Sequence, residues 1–160
     1  GIGPKFFFAT ENFLVMEYIK GISFMDFIEK NSPQKIQKII EELCGQMRQL
    51  DQLGINKQEM THPQRHIIIS GDKPILIDFE RCRYTVNPKN VTQFVQFLTS
   101  AQVCEILRKK KIILNKEKIQ IAAKAYKEEK SEKGYKQIMA VMIRVQPVWK
   151  WLLENSEKII

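Results

Sequence analysis

Two short apolar runs joined by a tight polar turn constrain the fold of this chain most strongly. The runs at residues 66–70 and 74–78 flank Gly71-Asp72-Lys73, and this arrangement predicts an antiparallel hairpin. Because the second run ends at Asp78, we expect a carboxylate where that strand leaves the core. The preceding stretch, residues 55–64, is polar and irregular and predicts a loop.

A second strand pair and a set of helices complete the predicted architecture. Apolar runs at 5–10 and 12–18 predict another antiparallel pair. Ser32-Pro33 is typical of a helix N-cap followed by Pro at the first helical position, and the helix is expected to end by Gly54. Beyond Pro88 the periodicity predicts only helices, the last with a kink at Pro147. The fold class is therefore α+β, mainly helical.

The composition limits the classes of function. A chain of 160 residues with 44% apolar content suits one domain with a real core. No apolar stretch approaches the roughly 18–20 residues needed to cross a bilayer, and the first ten residues lack the pattern of a signal peptide. Three scattered cysteines, Cys44, Cys82 and Cys104, predict reduced thiols in a cytoplasmic protein without a membrane partner.

Positive charge is concentrated late in the chain. Residues 107–160 hold fourteen Lys/Arg and six Glu, a difference equal to the whole net charge of +8. One interpretation is a surface for RNA or another polyanion on basic C-terminal helices, with the strongest patch at 108–111. The other is an ordinary solvated face rich in Lys and Glu. Trp149 and Trp151 could stack on bases, although Trp149 falls on the apolar face.

The hairpin region also carries the candidate chemistry. A carboxylate at a strand end, as at Asp78, suits Mg²⁺ that bridges phosphates, and it equally suits a turn cap. His62, His66 and Cys82 raise the alternative of zinc, but Pro63 disfavours one helix that presents both histidines. The glycosylation pattern at 90–92 is interpreted as chance in a cytoplasmic chain.

These residues resemble a known family. The segments GINKQEM, the following His-Pro, and IDFERC resemble the catalytic loop and metal-binding aspartate of the protein-kinase-like superfamily. They are most similar to the archaeal family of predicted serine/threonine protein kinases, relatives of the RIO-type and lipopolysaccharide-kinase-like groups. The segment FLVMEYIKG similarly resembles a kinase hinge. The resemblance implies one domain over 1–160, with the end of the small lobe and the hinge at 1–20 and a helical large lobe (C-lobe) at 21–160.

The resemblance implies ATP and Mg²⁺ as cofactors. Asp78-Phe79-Glu80 matches the Asp-Phe-Gly position, so Asp78 would bind Mg²⁺ on the phosphates. Met16, Glu17 and Tyr18 would meet the adenine edge. Asp26 would lie near the ribose, or it would cap a short helix at 24–29.

The catalytic loop departs from the family pattern. His66 stands where a metal-binding Asn is expected, and Thr61 stands at the position of the catalytic Asp. The nearest carboxylate, Glu59, is the predicted base, with Lys57 supplying charge to the phosphate and His66 as second metal or phosphate ligand. The phosphate acceptor would be a protein or a small molecule, and the sequence does not identify it.

The elements expected before a hinge are a glycine-rich loop and a lysine–glutamate pair. Gly1, Gly3 and Lys5 do not provide them. Either the natural protein has an upstream segment that supplies them, or this chain is a minimal form without the small lobe. We expect the intact protein to be a phosphotransferase, and this chain by itself to be weakly active or inactive.

Overall fold

A computed structural model describes residues 1–142 and 144–145 of the chain. Within these residues the fold is α+β, with six helices and small antiparallel sheets. The helices are α1 (Phe24–Lys30), α2 (Pro33–Gln52), α3 (Asn90–Leu98), α4 (Ala101–Lys109), α5 (Lys116–Glu129) and α6 (Glu132–Met142). The strands are β1 (Phe6–Ala9), β2 (Leu14–Met16), β3 (Ile22–Ser23), β4 (Ile55–Lys57), β5 (Ile67–Ser70), β6 (Lys73–Leu76), β7 (Cys82–Tyr84), β8 (Ile112–Ile113) and β9 (Arg144–Val145).

The long helix α2 forms as its sequence predicts. The Ser32 hydroxyl accepts a hydrogen bond from the Lys35 backbone N–H, and Pro33 occupies the first helical position. The apolar positions at three- and four-residue spacing are all buried: Ile36, Ile39, Ile40, Leu43, Met47 and Leu50. The helix ends at Gln52, and Gly54 supplies the positive φ of 68° that reverses the chain.

The predicted hairpin forms two strands of a three-stranded sheet with the order β3-β5-β6, in which β5 is the central strand. Strands β5 and β6 pair from Ile67–Leu76 to Ser70–Lys73, and Gly71 adopts a φ of 61° at the tight turn. Strand β3 adds to the other side of β5, where Ile22 opposes Ile69. Immediately before β3, Gly21 lies so close to the Ile69 backbone that a side chain would not fit.

The N-terminal pair β1 and β2 also forms as predicted. Phe6 opposes Met16 and Ala9 opposes Leu14, with an irregularity between Phe6 and Phe8. Every residue of β1 is exposed, as are both ends of β2. This ribbon therefore contributes little to the buried core.

Three predictions of local structure were wrong. The start of the supposed loop, Ile55–Lys57, is strand β4, which pairs with β7. Short strands β8 and β9 interrupt the region predicted to be only helical. Helix α6 ends at Met142, so the helix predicted for this region does not continue through residues 144–145, where Arg144–Val145 pairs with β8. Pairing with a distant partner stabilises strands of two or three residues that carry no periodic signal of their own.

One hydrophobic cluster joins the elements. It includes buried residues of α1, α2, α3, α5 and the β5–β6 hairpin, with the rings of Phe24, Phe94 and Phe97 in mutual contact. The three cysteines are free thiols. No helix among the described residues is long and apolar enough to span a membrane. The predictions for Pro147, Trp149 and Trp151 fall outside the described residues.

Candidate functional site

Three polar side chains from separate segments meet beside the hairpin. Glu59 comes from a 3₁₀ turn at Gln58–Thr61, His66 directly precedes β5, and Asp78 follows β6. One ligand atom from each lies within 4.8 Å of the others. The sequence analysis selected all three residues, and the fold brings them together although nineteen positions separate Glu59 from Asp78 in the chain.

Lys57, the fourth predicted residue of the site, is fully buried beneath this group. Its ammonium donates a hydrogen bond to the Asp78 backbone carbonyl and lies 3.6 Å from Glu59 Oε2. It also lies 5.0 Å from the centre of the Phe79 ring, within range of a cation–π interaction. A buried charge is costly unless it is paired. The contacts with Glu59 and with the Asp78 carbonyl therefore compensate the Lys57 ammonium and hold it in this position.

The backbone around Asp78 aims its carboxylate at His66. Asp78 has a φ of 61°, in the left-handed region that costs a non-glycine residue conformational energy. Just before it, the Ile77 N–H donates to the His66 carbonyl over 3.0 Å, which extends the β5–β6 pairing by one bond. His66 Nδ1 lies 3.2 Å from Asp78 Oδ2. The chain therefore turns sharply where the strand ends and directs the carboxylate back over the hairpin.

Two buried atoms of the group lack a hydrogen-bond partner. They are Glu59 Oε2 and His66 Nδ1, whose ion-pair contacts to Lys57 and Asp78 fall outside hydrogen-bonding geometry. Two carboxylates and an imidazole form a donor set that binds divalent cations, with the oxygens suited to Mg²⁺ and the nitrogen to softer metals. When His66 is neutral with its proton on Nε2, its Nδ1 and the Glu59 Oε2 are unpartnered acceptors that could hold a metal ion at this position.

Cations beside the group partly balance its charge. Lys57 faces Glu59 Oε2, and the Arg81 Nε lies 3.7 Å from Glu59 Oε1. The Arg81 side chain is 68% exposed, whereas Glu59 is only 19% exposed. Arg81 can therefore move aside for a ligand, while Glu59 stays in place.

A buried polar network supports Lys57 from behind, and the sequence analysis missed it. The Asn90 amide donates to Asp51 Oδ1 over 2.8 Å and to the Ile55 carbonyl over 2.6 Å, and its oxygen accepts from the Lys57 N–H over 2.8 Å. Asp51 is 5% exposed and Asn90 is fully buried. The signal that could have revealed the network is Asp51 itself, a charged residue in line with Met47 on the apolar face of α2.

The network extends to one further element, the helix α5. The Tyr126 hydroxyl donates to Asp51 Oδ2 over 2.9 Å and accepts from Arg48 over 3.0 Å. Arg48 also donates to the Lys130 carbonyl. Burial, reinforced by the Asp51 carboxylate, raises the pKa of Tyr126. The phenol therefore stays protonated and links α2 to α5.

The predicted adenine-binding residues lie apart from this group. Met16 ends β2, the Glu17 N–H donates to the Lys5 carbonyl, and Tyr18 is 89% exposed. No hydrogen bond or ion pair in the described part of the chain connects them to Asp78. Their connection is through the sheet, because the chain continues from them into β3, which pairs with β5.

Asp26, predicted near a ribose, forms a helix cap. Its N–H donates to the Ser23 hydroxyl over 3.0 Å, and the hydroxyl donates to Asp26 Oδ2 over 2.6 Å. This is the reciprocal pattern of an N-cap, and the carboxylate also lies near Lys30. The contacts account for Asp26 as a capping residue.

The geometry does not favour the zinc site or the glycosylation site that the sequence raised as alternatives. The clustered metal-ligand group in the described residues contains neither His62 nor Cys82. Burial raises the pKa of the Cys82 thiol, with Lys57 opposing the shift and the carboxylates of Glu59 and Asp78 adding to it. Asn90 is buried with its amide fully engaged, which excludes it as a glycosylation acceptor in this fold.

Comparison with known proteins gives a distant relative. No family model matches the chain. Over 83 residues the chain is 29% identical to an uncharacterized protein of Methanocaldococcus jannaschii, and the alignment covers 52% of this chain and 71% of that protein. The similarity links the chain to an archaeal protein without an assigned activity.

Proposed function

We propose that the chain is the large, mainly helical lobe and hinge of an ATP-dependent serine/threonine protein kinase. The observation that carries this proposal is the convergence of Lys57, Glu59, His66 and Asp78 at the end of one hairpin. The resemblance of the Asp78-Phe79-Glu80 segment to a kinase metal site supports the same family. We place the protein in the cytoplasm, because its three cysteines are free thiols and the proposed reaction uses ATP.

Asp78 and His66 would hold a Mg²⁺ ion against the nucleotide phosphates. When bound, the ion would neutralise charge that develops on the transferred phosphoryl group. The left-handed backbone at Asp78 and the bond between Ile77 and His66 orient both ligands before any nucleotide arrives. Such preorganisation lowers the cost of binding a small, strongly hydrated cation.

Glu59 would orient the acceptor hydroxyl and accept its proton. Its side chain is 19% exposed, and its Oε1 faces only the exposed Arg81, so this oxygen is the one that a hydroxyl can approach when Arg81 moves aside. Lys57 is fully buried and contacts Glu59 and Asp78, which favours a positioning role over direct contact with phosphate. Arg81 is the exposed cation that could approach a transferred phosphate.

Calorimetry of ATP binding with Mg²⁺ or Mn²⁺ tests the proposal. We expect Asp78→Asn to weaken metal-dependent ATP binding at least about tenfold, because it removes a charged ligand. The matched control is Asp72→Asn, which removes an equal charge from the exposed hairpin turn, where the side chain is 58% exposed beside Lys35. Equal affinity for the two variants would overturn the assignment of Asp78.

The second candidate is a noncatalytic, kinase-derived scaffold that binds RNA through its basic helices. Arg108 and Lys109 are exposed at the end of α4, which favours this reading. It predicts RNA binding that weakens steeply with salt and with neutralisation of residues 108–111. If neither this chain nor a form extended upstream bound ATP, the scaffold reading would replace the kinase reading.

A further inference from the structure

Two adjoining depressions form a continuous basic groove beside the proposed catalytic group. The first, of about 390 Å³, is lined in part by Gln58, Arg83, Lys89 and Gln93. The second, of about 520 Å³, shares Lys89 and Gln93 and continues along α3 and α5. We call the two together the basic groove, and one end of it lies at Gln58, between Lys57 and Glu59 in the chain.

The β4–β7 ribbon separates the groove from the catalytic group. Lys57 opposes Cys82 in this ribbon, and Asn56 opposes Arg83. Since side chains alternate between the faces of a strand, Lys57 projects towards Asp78 while Asn56 and Arg83 line the groove. A ligand in the groove would therefore pass the end of the ribbon at Gln58 to reach Glu59.

The groove has a strong charge asymmetry. Four cations line it, Arg83, Lys89, Lys124 and Lys127, and no Asp or Glu is among its described lining residues. All four side chains are exposed. In the described part of the chain none of them forms an ion pair. Their positive field is thus available to an anionic ligand.

The uncharged residues that line the groove favour a peptide over a nucleic acid as its anionic ligand. Gln93 lines both depressions, and its Oε1 is a buried acceptor without a hydrogen-bond partner. A peptide offers a backbone N–H at almost every residue, whereas the phosphate groups of a nucleic acid only accept, and its donors are limited to base edges and, in RNA, the 2′-hydroxyls. No aromatic residue is among the described lining residues, although stacking on aromatic rings is the usual means of holding single-stranded bases.

We propose that the basic groove binds an acidic peptide segment and presents its serine or threonine to Glu59. This inference rests on the proposed kinase function and specifies its acceptor as a protein segment rich in Asp and Glu. The lysines and Arg83 pair with acidic side chains, the Gln93 amide accepts a backbone N–H after it turns towards the groove, and the hydroxyl-bearing residue lies beyond Gln58.

Fluorescence anisotropy without nucleotide tests the groove separately from ATP binding. The probes are a labelled peptide with one serine among glutamates, the same peptide with Gln for Glu, and oligouridylate of similar length. The groove variant carries Lys89→Gln, Lys124→Gln and Lys127→Gln. The control variant carries Lys118→Gln, Lys133→Gln and Lys136→Gln, which removes the same charge from exposed positions outside the groove.

We expect the acidic peptide to bind the natural chain, and the groove variant to bind it at least about fivefold more weakly, since three ion pairs are lost. The control variant should stay within about twofold. No peptide binding, equal losses in both variants, or tighter groove-dependent binding of oligouridylate would each overturn the inference. Peptide binding without ATP binding by either this chain or a form extended upstream would refute the kinase function and the acceptor role, leaving only a peptide-binding surface.

Discussion

Replacing Gly21 by Ala should destabilise the fold through one steric conflict. A Cβ at this position would lie 2.4 Å from the Ile69 carbonyl oxygen and 2.9 Å from the Ile69 carbonyl carbon. Both are backbone atoms of the central strand, so no side-chain rotation relieves the contact. Ordinary van der Waals contacts begin at 3.4 Å, so the distance from the added Cβ to the Ile69 oxygen is 1.0 Å too short. Strand β3 must therefore shift away from β5.

The cost follows from overpacking. Forcing excess volume into a packed site costs about 1–3 kcal/mol. The control is Gly45→Ala in the middle of α2, where an added Cβ meets nothing within 4 Å. There the change should stabilise the protein by about 1 kcal/mol, because Ala is the better helix former. The two substitutions add the same methyl group and should differ by about 2–4 kcal/mol, with opposite signs.

Urea unfolding followed by far-ultraviolet circular dichroism measures both variants. For a domain of this size the midpoint for Gly21→Ala should fall by roughly 1 M while the slope is unchanged. A Gly21→Ala variant as stable as the natural chain, together with the expected gain at Gly45, would refute the close approach of Gly21 to Ile69. It would also argue against the β3–β5 pairing, which connects residues 16–18 to the hairpin that precedes Asp78.

Three further predictions address the buried groups. Asn90→Ala should lower the free energy of unfolding by roughly 2–4 kcal/mol, because the Ile55 carbonyl and the Lys57 N–H lose this partner and Asp51 loses one of its donors; urea unfolding at neutral pH checks this, and a loss below about 1 kcal/mol would contradict it. The raised pKa of Tyr126 implies stability that is intact below the unfolded value of about 10 and is lost as the pH rises above it; Tyr126→Phe should reduce this alkaline loss, and an identical slope of stability against pH in the two proteins would refute it. Burial raises the pKa of each cysteine thiol, so alkylation by iodoacetamide at neutral pH should be much slower in the native chain than in urea, and equally fast labelling would contradict the burial.

The sequence predicted the parts of the fold that depend on local patterns. Ser32-Pro33 and the apolar stripe of α2 carry a cap and a helical period, and Gly71-Asp72 carries the turn that closes the β5–β6 hairpin. These signals are local, because capping and turn formation involve residues only a few positions apart. The fold class followed from them.

The short strands β4, β7, β8 and β9 could not be predicted in the same way. Each has two or three residues, which is too few to show an alternating pattern, and β4 pairs with a segment more than twenty residues away. The buried network of Asp51, Asn90 and Tyr126 was missed for a similar reason. Its members come from three helices, and their hydrogen bonds exist only when those helices pack together.

For the candidate site, the sequence determined which residues were predicted to form it, and the tertiary structure decided how they meet. The residue types and the resemblance to kinases selected Lys57, Glu59, His66 and Asp78, because carboxylate and imidazole groups after a buried strand suit a metal-dependent reaction. Only the pairing of β4 with β7 and the left-handed turn at Asp78 decided that Lys57 would be buried and that the others would share one site. The basic groove likewise exists only in the folded chain, because its cations come from β7, α5 and the residue before α3, and long-range packing brings these elements to one surface.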